Sequence, residues 1–202
     1  MPVLGITGGI ATGKSTFVRA LLRRIPAQVF DADRAAHELL DHDPATHAAV
    51  RAAFGDAVFG ADGKPDRARL REIVFAQGLQ RRRLEDILHP VIRDRWAALA
   101  EQTLRTGGWL CVDLPLLYET GAETSFDRTI VIACSPETQR RRLQELRGLD
   151  AGTADRMIAA QLDLSLKIKK ADHVIWNDST DACLDGQAAL LAAWLLTHYG
   201  RN

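Results

Sequence analysis

The 202-residue chain lacks net charge: 26 Lys and Arg balance 26 Asp and Glu. That balance gives no global attraction to nucleic acid or to an anionic membrane, so neither is expected as a partner. Cysteine is scarce. Cys111, Cys134 and Cys183 are odd in number, widely spaced and set among apolar residues. They argue against a disulfide framework or a zinc site and suit buried thiols in a reducing cytosol. Long apolar runs are missing too, the longest covering residues 188–196, well short of the roughly 20 needed to span a bilayer. The N-terminus carries no basic segment followed by an apolar one, as a secretory signal would. Repeats and low-complexity linkers are absent as well. With 47% apolar residues the chain can nonetheless bury a substantial core. These traits predict a soluble cytoplasmic protein.

What is present begins at the N-terminus. Gly8-Gly9-Ile10-Ala11-Thr12-Gly13-Lys14-Ser15-Thr16 is a GxxxxGKS phosphate loop directly behind the apolar run Val3-Leu4-Gly5-Ile6-Thr7 and ahead of a helical pattern. Strand, glycine-bearing turn and helix form the context this motif requires. Gly8 and Gly13 lack a Cβ, which lets the loop adopt positive φ and close its N–H groups around phosphate oxygens. The following helix aims unpaired N–H groups and the positive end of its dipole into the loop. Lys14 is then placed to bridge β- and γ-phosphates, the Ser15 hydroxyl to ligate Mg²⁺, and Thr16 to reach the α-phosphate. Gly9, Ile10, Ala11, Thr12 and Gly13 supply the cradle. The residues read as a nucleotide-dependent phosphoryl transferase.

Downstream the pattern is that of an open α/β sheet. Ala27-Gln28-Val29-Phe30-Asp31 is a short strand ending in Asp31-Ala32-Asp33, acids at the end of a strand that face the ligand crevice in such sheets. Asp33 also suits the N-cap of the next helix. Residues 44–106 are helical and rich in Ala, Arg and Leu, broken by a turn at Gly60-Ala61-Asp62-Gly63-Lys64-Pro65. Between Lys64 and Arg95 nine Lys and Arg stand against five acids, a local excess that fits an anionic substrate, while Arg81-Arg82-Arg83 reads as a solvated helix face. His89-Pro90 reads as a helix start with Pro at the first position. Trp109-Leu110-Cys111-Val112-Asp113 is a third strand whose final acid is either a magnesium-holding carboxylate or a turn residue. A fourth strand covers 129–134, after which Ser135-Pro136 opens a helix. Residues 139–170 form a basic helical pair divided by Arg147-Gly148-Leu149-Asp150, in a position to close over phosphates. His173-Val174-Ile175-Trp176 is a fifth strand, and a final helix follows.

Taken together these segments resemble the dephospho-coenzyme A kinase family across nearly the whole length. The resemblance rests on Ile6-Thr7-Gly8-Gly9-Ile10, Asp31-Ala32-Asp33, Asp62-Gly63 with Asp66-Arg67 and Leu70, Leu88-His89-Pro90, Pro115-Leu116-Leu117-Tyr118-Glu119, and Lys167 with Ala171-Asp172 and Asn177. It implies a three-layer P-loop kinase fold with a five-stranded parallel sheet (core 1–40, 107–143 and 171–202), a helical CoA lobe (41–106) and a helical lid (144–170). The implied reaction is ATP-dependent, Mg²⁺-assisted phosphorylation of the ribose 3′-hydroxyl of dephospho-CoA. Asp33 is the implied general base, Arg142 a basic residue near the lid and Asn177 an adenine neighbour. His89, Leu114, Pro115, Tyr118 and Glu119 are implied to line the acceptor site. The alternatives are another P-loop kinase of nucleotides or sugars, or a nucleotide-dependent switch; no Asn-Lys-x-Asp guanine-reading segment is present.

One departure stands out. Where the family carries an Arg-Asp pair before the Gly-Leu turn, this chain has Leu146-Arg147. One residue is about 100° of helix rotation, so Arg147 points away from the usual direction unless the helix has already ended. The reading takes Arg142 as the main cation and Arg147 as an auxiliary.

Overall fold

The structure, a computed structural model, describes residues 2–76 and 78–200. The described residues divide into two compact units, one made of those within 1–30 and 100–202 and the other of those within 31–99.

The first unit is built on strands β1 (Val3–Gly8), β2 (Ala27–Asp31), β3 (Trp109–Asp113), β4 (Arg128–Ala133) and β5 (His173–Trp176), in the order β2-β3-β1-β4-β5. The β1–β3, β1–β4 and β4–β5 pairs are parallel. Every residue of β1 and β3 is buried, as expected of central strands covered on both faces. Helix α1 (Lys14–Leu22) packs on the sheet because Phe17 and Leu21, four residues apart, share one face. They join Leu4, Ile6, Ile130 and Ile132 in a core that α9 (Asp181–Tyr199) completes with Leu184, Leu191 and Leu195. Full burial of a side chain such as Leu21 contributes about 2 kcal/mol. On the strand's other face Gly5 is required: a Cβ there would lie 2.6 Å from the Phe126 ring. Chemistry-bearing ends of β1, β3 and β4 therefore sit side by side. The remaining helices of this unit are α6 (Pro136–Arg147), α7 (Ala151–Ala159) and α8 (Leu164–Lys170).

The second unit is helical, with α2 (Ala32–His42), α3 (Pro44–Phe54), α4 (Arg67–Ala76) and most of α5 (Gly78–Arg105). A 3₁₀ turn over Asp56–Val58 and a bridge between Phe59 and Pro65 enclose the expected turn.

Three expectations change. Asp31, not Asp33, caps α2: its carboxylate accepts from the Arg34 N–H at 2.9 Å, leaving Asp33 in the first helical turn. Pro90 does not start a helix but lies inside α5. Pro can be carried there at the loss of one backbone hydrogen bond, because the long apolar stripe including Leu88, Ile92 and Trp96 continues through it into burial. Cys183 is exposed in the first turn of α9, whereas Cys111 and Cys134 are buried. Burial pushes the Cys111 thiol up to about 12 and the Cys134 thiol up to about 11, which makes both poor nucleophiles.

Candidate functional site

The phosphate loop turns from the end of β1 into α1. A Cβ on Gly8 would come within 2.5 Å of the Ile132 carbonyl oxygen, so only glycine lets the loop leave β1 beside β4. Gly13 sits at φ +89°, in the left-handed region. Ala11 takes φ +59° despite its Cβ, at a cost of about 1–2 kcal/mol. Strain of this kind persists where the surroundings hold it, and here three successive carbonyls are held from outside.

The start of α1 differs from most other helix starts. Asp31, Asp43, Ser135, Asp150, Asp163 and Thr180 each place a side-chain oxygen on a first-turn N–H of α2, α3, α6, α7, α8 and α9. Gly13 offers α1 no such acceptor. The Lys14 and Ser15 N–H groups and the positive dipole end are thus open to an external anion, within a loop whose backbone curls around the same point, while the Thr16 N–H bonds the Gly13 carbonyl at 3.1 Å.

Charge stands ready there. The Ile6–Asp113 register of β1 and β3 carries the Asp113 carboxylate to the loop, where it pairs with the Lys14 ammonium. Their side chains are only 9% and 16% exposed, so an incoming phosphate competes for Lys14 in a poorly screened place. Ser15 is exposed on the first turn of α1, and the half-buried Thr16 accepts from Arg19 Nη2 at 3.3 Å.

The loop's outer wall comes from far along the chain. Gln161 Oε1 accepts from the Ile10 N–H at 2.8 Å and Gln139 Nε2 donates to the Ile10 carbonyl at 2.8 Å. Arg142 donates to the Ala11 carbonyl at 3.3 Å and to the Asn177 carbonyl at 2.9 Å. The Asn177 amide donates to the Thr12 carbonyl at 2.8 Å. Asn177 reaches this position because its own N–H bonds the Ala133 carbonyl at the ends of β4 and β5. Nothing in the local sequence marks the two glutamines; they lie 129 and 151 positions from Ile10. A lone glutamine carries no spacing signal.

Beyond β3, Leu114 and Tyr118 are buried and Pro115 half-buried. Burial raises the Tyr118 phenol above its ordinary value, with Asp172 and Glu123 adding to the shift. Lys167 is fully buried, its ammonium 2.8 Å from Glu119 Oε1 and 3.1 Å from the Pro115 carbonyl. The same carboxylate oxygen accepts from the Leu162 N–H at 3.1 Å, and Thr7 Oγ1 donates to the Pro115 carbonyl at 3.0 Å. Glu119 therefore anchors the start of α8 beside the strand ends.

Arg147 is the last residue of α6, which Gly148 closes at φ +65° in the left-handed region. The helix has not ended before Arg147, so the 100° offset applies to it, and the side chain is exposed. In the helical unit Asp33 is exposed in the first turn of α2 and His89 is half-buried within α5.

A phosphate loop on a parallel sheet, with a lysine and a strand-end carboxylate at its mouth, defines a P-loop phosphotransferase. The family model described as dephospho-CoA kinase matches residues 2–182, and the chain belongs to that family. It is 41% identical over 192 residues to the dephospho-CoA kinase of Methylococcus capsulatus, covering 95% of each chain. Among solved structures it resembles TT1252 from Thermus thermophilus, with TM-score 0.76, 31% identity and 95% of each chain covered. It also resembles the dephospho-CoA kinase from Campylobacter jejuni, with TM-score 0.62, 25% identity and 96% of each chain covered. Among the described residues no helix is long and apolar enough to cross a membrane.

Proposed function

We propose that the chain transfers the γ-phosphoryl group of ATP to the ribose 3′-hydroxyl of dephospho-CoA, giving CoA and ADP in the cytoplasm. The observation that carries phosphoryl transfer is the α1 N-terminus left without a side-chain cap inside a glycine loop. Family membership supplies the acceptor.

In this reading Gly9 and Ile10 shape the cradle, the N–H groups of residues 11–15 hold the β- and γ-phosphates, Thr16 reaches the α-phosphate, and Lys14 leaves Asp113 to follow the charge that develops on the transferring group. Asp33 accepts the proton of the 3′-hydroxyl. Arg142 compensates charge from α6, Arg147 assists, and Asn177 borders the adenine. His89, Leu114, Pro115, Tyr118 and Glu119 are assigned to the acceptor side, with the 41–106 segment as the CoA lobe and 144–170 as the lid. Hard oxygens suit magnesium, and Ser15 Oγ with the Asp113 carboxylate would hold it, largely through water; the ion would neutralise phosphate charge. The protein's share of the work is then positioning and electrostatics.

The test is ADP release across dephospho-CoA, adenosine, AMP and gluconate. Strong stimulation by dephospho-CoA alone is expected; equal turnover with AMP or gluconate sinks the assignment. Asp33→Asn keeps size and hydrogen bonding while removing the proton acceptor, and should lower turnover about 10²-fold with binding of a non-hydrolysable ATP analogue intact. Unchanged turnover would remove Asp33 from the chemistry.

A further inference from the structure

We propose that Gln139 and Gln161 are positioning residues that set the phosphate loop by gripping Ile10 from its two polar sides. The carbonyls of Ile10, Ala11 and Thr12 all point outward, to Gln139, Arg142 and Asn177. In a trans peptide the carbonyl of one residue and the N–H of the next point in opposite directions. Holding those three carbonyls outside therefore turns the N–H groups of Ala11, Thr12 and Gly13 toward the anion side. The Thr12 N–H makes only a long 3.4 Å contact with the Gly9 carbonyl, and the Thr12 hydroxyl bonds that same carbonyl at 2.9 Å.

Ile10 is where this wall begins, and it is held twice. Its N–H would point outward with no helix or strand to receive it, and Gln161 Oε1 receives it. Its carbonyl meets Gln139 Nε2, from a side chain that is itself 3% exposed. The chemistry of the two contacts fixes the amide orientations, since an N–H needs an oxygen and a carbonyl needs an NH₂ group. Gly9 completes the fit, because a Cβ there would lie 2.5 Å from Gln139 Nε2. The grip also explains how Ala11 is kept at positive φ: the carbonyls on either side of it are both pinned.

The two glutamines come from different pieces of the basic helical segment. Gln139 lies in α6 and Gln161 just beyond α7, and Arg140 ties those helices together through Asp155 at 2.8 Å. The residue after Gln161 is fixed in turn by Glu119, itself paired with buried Lys167. The α6–α8 segment is thereby a built support for the anion cradle as well as a carrier of arginines.

The proposal rests on the kinase reading, and its test uses donor and acceptor sense. Gln161→Glu keeps an oxygen for the Ile10 N–H, whereas Gln139→Glu sets a carboxylate against the Ile10 carbonyl; both add the same charge beside the loop. We expect Gln139→Glu and Gln161→Met to lower kcat/KM for ATP about tenfold or more, and Gln161→Glu to restore most of what Gln161→Met loses. Calorimetric ADP affinity should follow the same order, and the Ile10 amide should exchange faster in Gln161→Met than in Gln161→Glu. If Gln139→Glu does not fold, Gln139→Met replaces it, with the same loss of ADP affinity expected. Equal effects of the two Glu variants, or ADP affinity and Ile10 exchange unchanged in both Met variants, overturn the proposal. ADP binding and amide exchange need no acceptor, so a wild-type protein that binds ADP but ignores dephospho-CoA would break the kinase reading and leave this one standing.

Discussion

The two units bury different things. Among the described residues, Thr7, Thr12, Thr103, Asp113, Thr129, Thr138, Gln139, Lys167 and Asn177 are the buried polar side chains of the sheet unit, while the helical unit buries Thr46 alone. In the helical unit charge stays outside, in ion pairs such as Arg34–Glu38, Arg51–Asp56 and Arg69–Asp66 whose side chains are largely solvated. Buried polar groups are costly unless fully paired, but once paired they fix geometry. Thr12, Asp113, Gln139 and Asn177 are paired in this way at the phosphate loop, where fixed geometry is of use. A surface of solvated ion pairs would suit the looser task proposed for the helical unit, that of receiving a long anionic substrate.

The sharpest way to break this contrast is at Arg142, whose guanidinium is tied to the Ala11 and Asn177 carbonyls. Supplied arginines in phosphoryl transfer contribute about 10³ to 10⁵ in rate, roughly 4–7 kcal/mol, and Arg142→Ala should approach that range in single-turnover measurements. A loss below tenfold would mean that the residue only props the loop. Stability gives the second comparison. Lys167→Met leaves the Glu119 carboxylate without its buried partner and should cost about 3–5 kcal/mol in urea unfolding. Arg34→Ala, at an exposed pair of the other unit, should cost no more than about 1 kcal/mol. Similar losses at the two sites would show that burial is not the distinguishing factor.

These sites also mark how far sequence reasoning reached. The loop was legible because its function demands local features: glycines at Gly8 and Gly13, a strand before, a helix after. Ser135-Pro136 and Gly148 were legible for the same reason, since caps act within four residues. Pro90 misled because local backbone chemistry argues for a boundary while the apolar stripe of α5 overrides it. Asp31 and Asp33 are both acceptable caps by type, and only the start of the helix separates them. Cys183 looked apolar in its neighbours yet faces solvent, since position on a helix face is not set by the adjacent residues. The glutamine grip on Ile10 was out of reach altogether. It exists only once β4 and the helices after it are laid beside β1.

A smaller effect is expected at Arg147. As the exposed end of α6 it lies on the same basic segment as Arg142 but not against the loop. Arg147→Ala should cost about tenfold, near 1.4 kcal/mol, in the same single-turnover assay. If it proves more damaging than Arg142→Ala, the order of the two cations is reversed.

The smallest expected effect tests a polar group that the sheet unit buries without a partner. His173 opens β5 with its Nε2 buried and unbonded, its ring edge-on to Trp194 at 4.5 Å between centroids. Trp194 in turn stacks on His198 at 4.0 Å, and Arg128 lies 5.8 Å from its ring. Burial lowers the His173 pKa below the ordinary 6.5, Arg128 and His198 lower it further, and Asp172 opposes them. The folded protein therefore favours the neutral ring. Between the folded and unfolded values the unfolded chain binds more protons, so this contribution is complete above pH 6.5 and is lost as pH falls from there through the folded value. The carboxylates of Asp172 and Asp178, held below their ordinary 3.8 because hydrogen bonds outweigh burial, contribute their own loss only at lower pH. Thermal unfolding of the wild type should thus fall by a few degrees between pH 7.5 and 5.5, and His173→Phe, which keeps an aromatic edge against Trp194, should flatten that slope. Parallel slopes in the two proteins would show that the ring is hydrated in solution and that this polar burial carries no energetic weight.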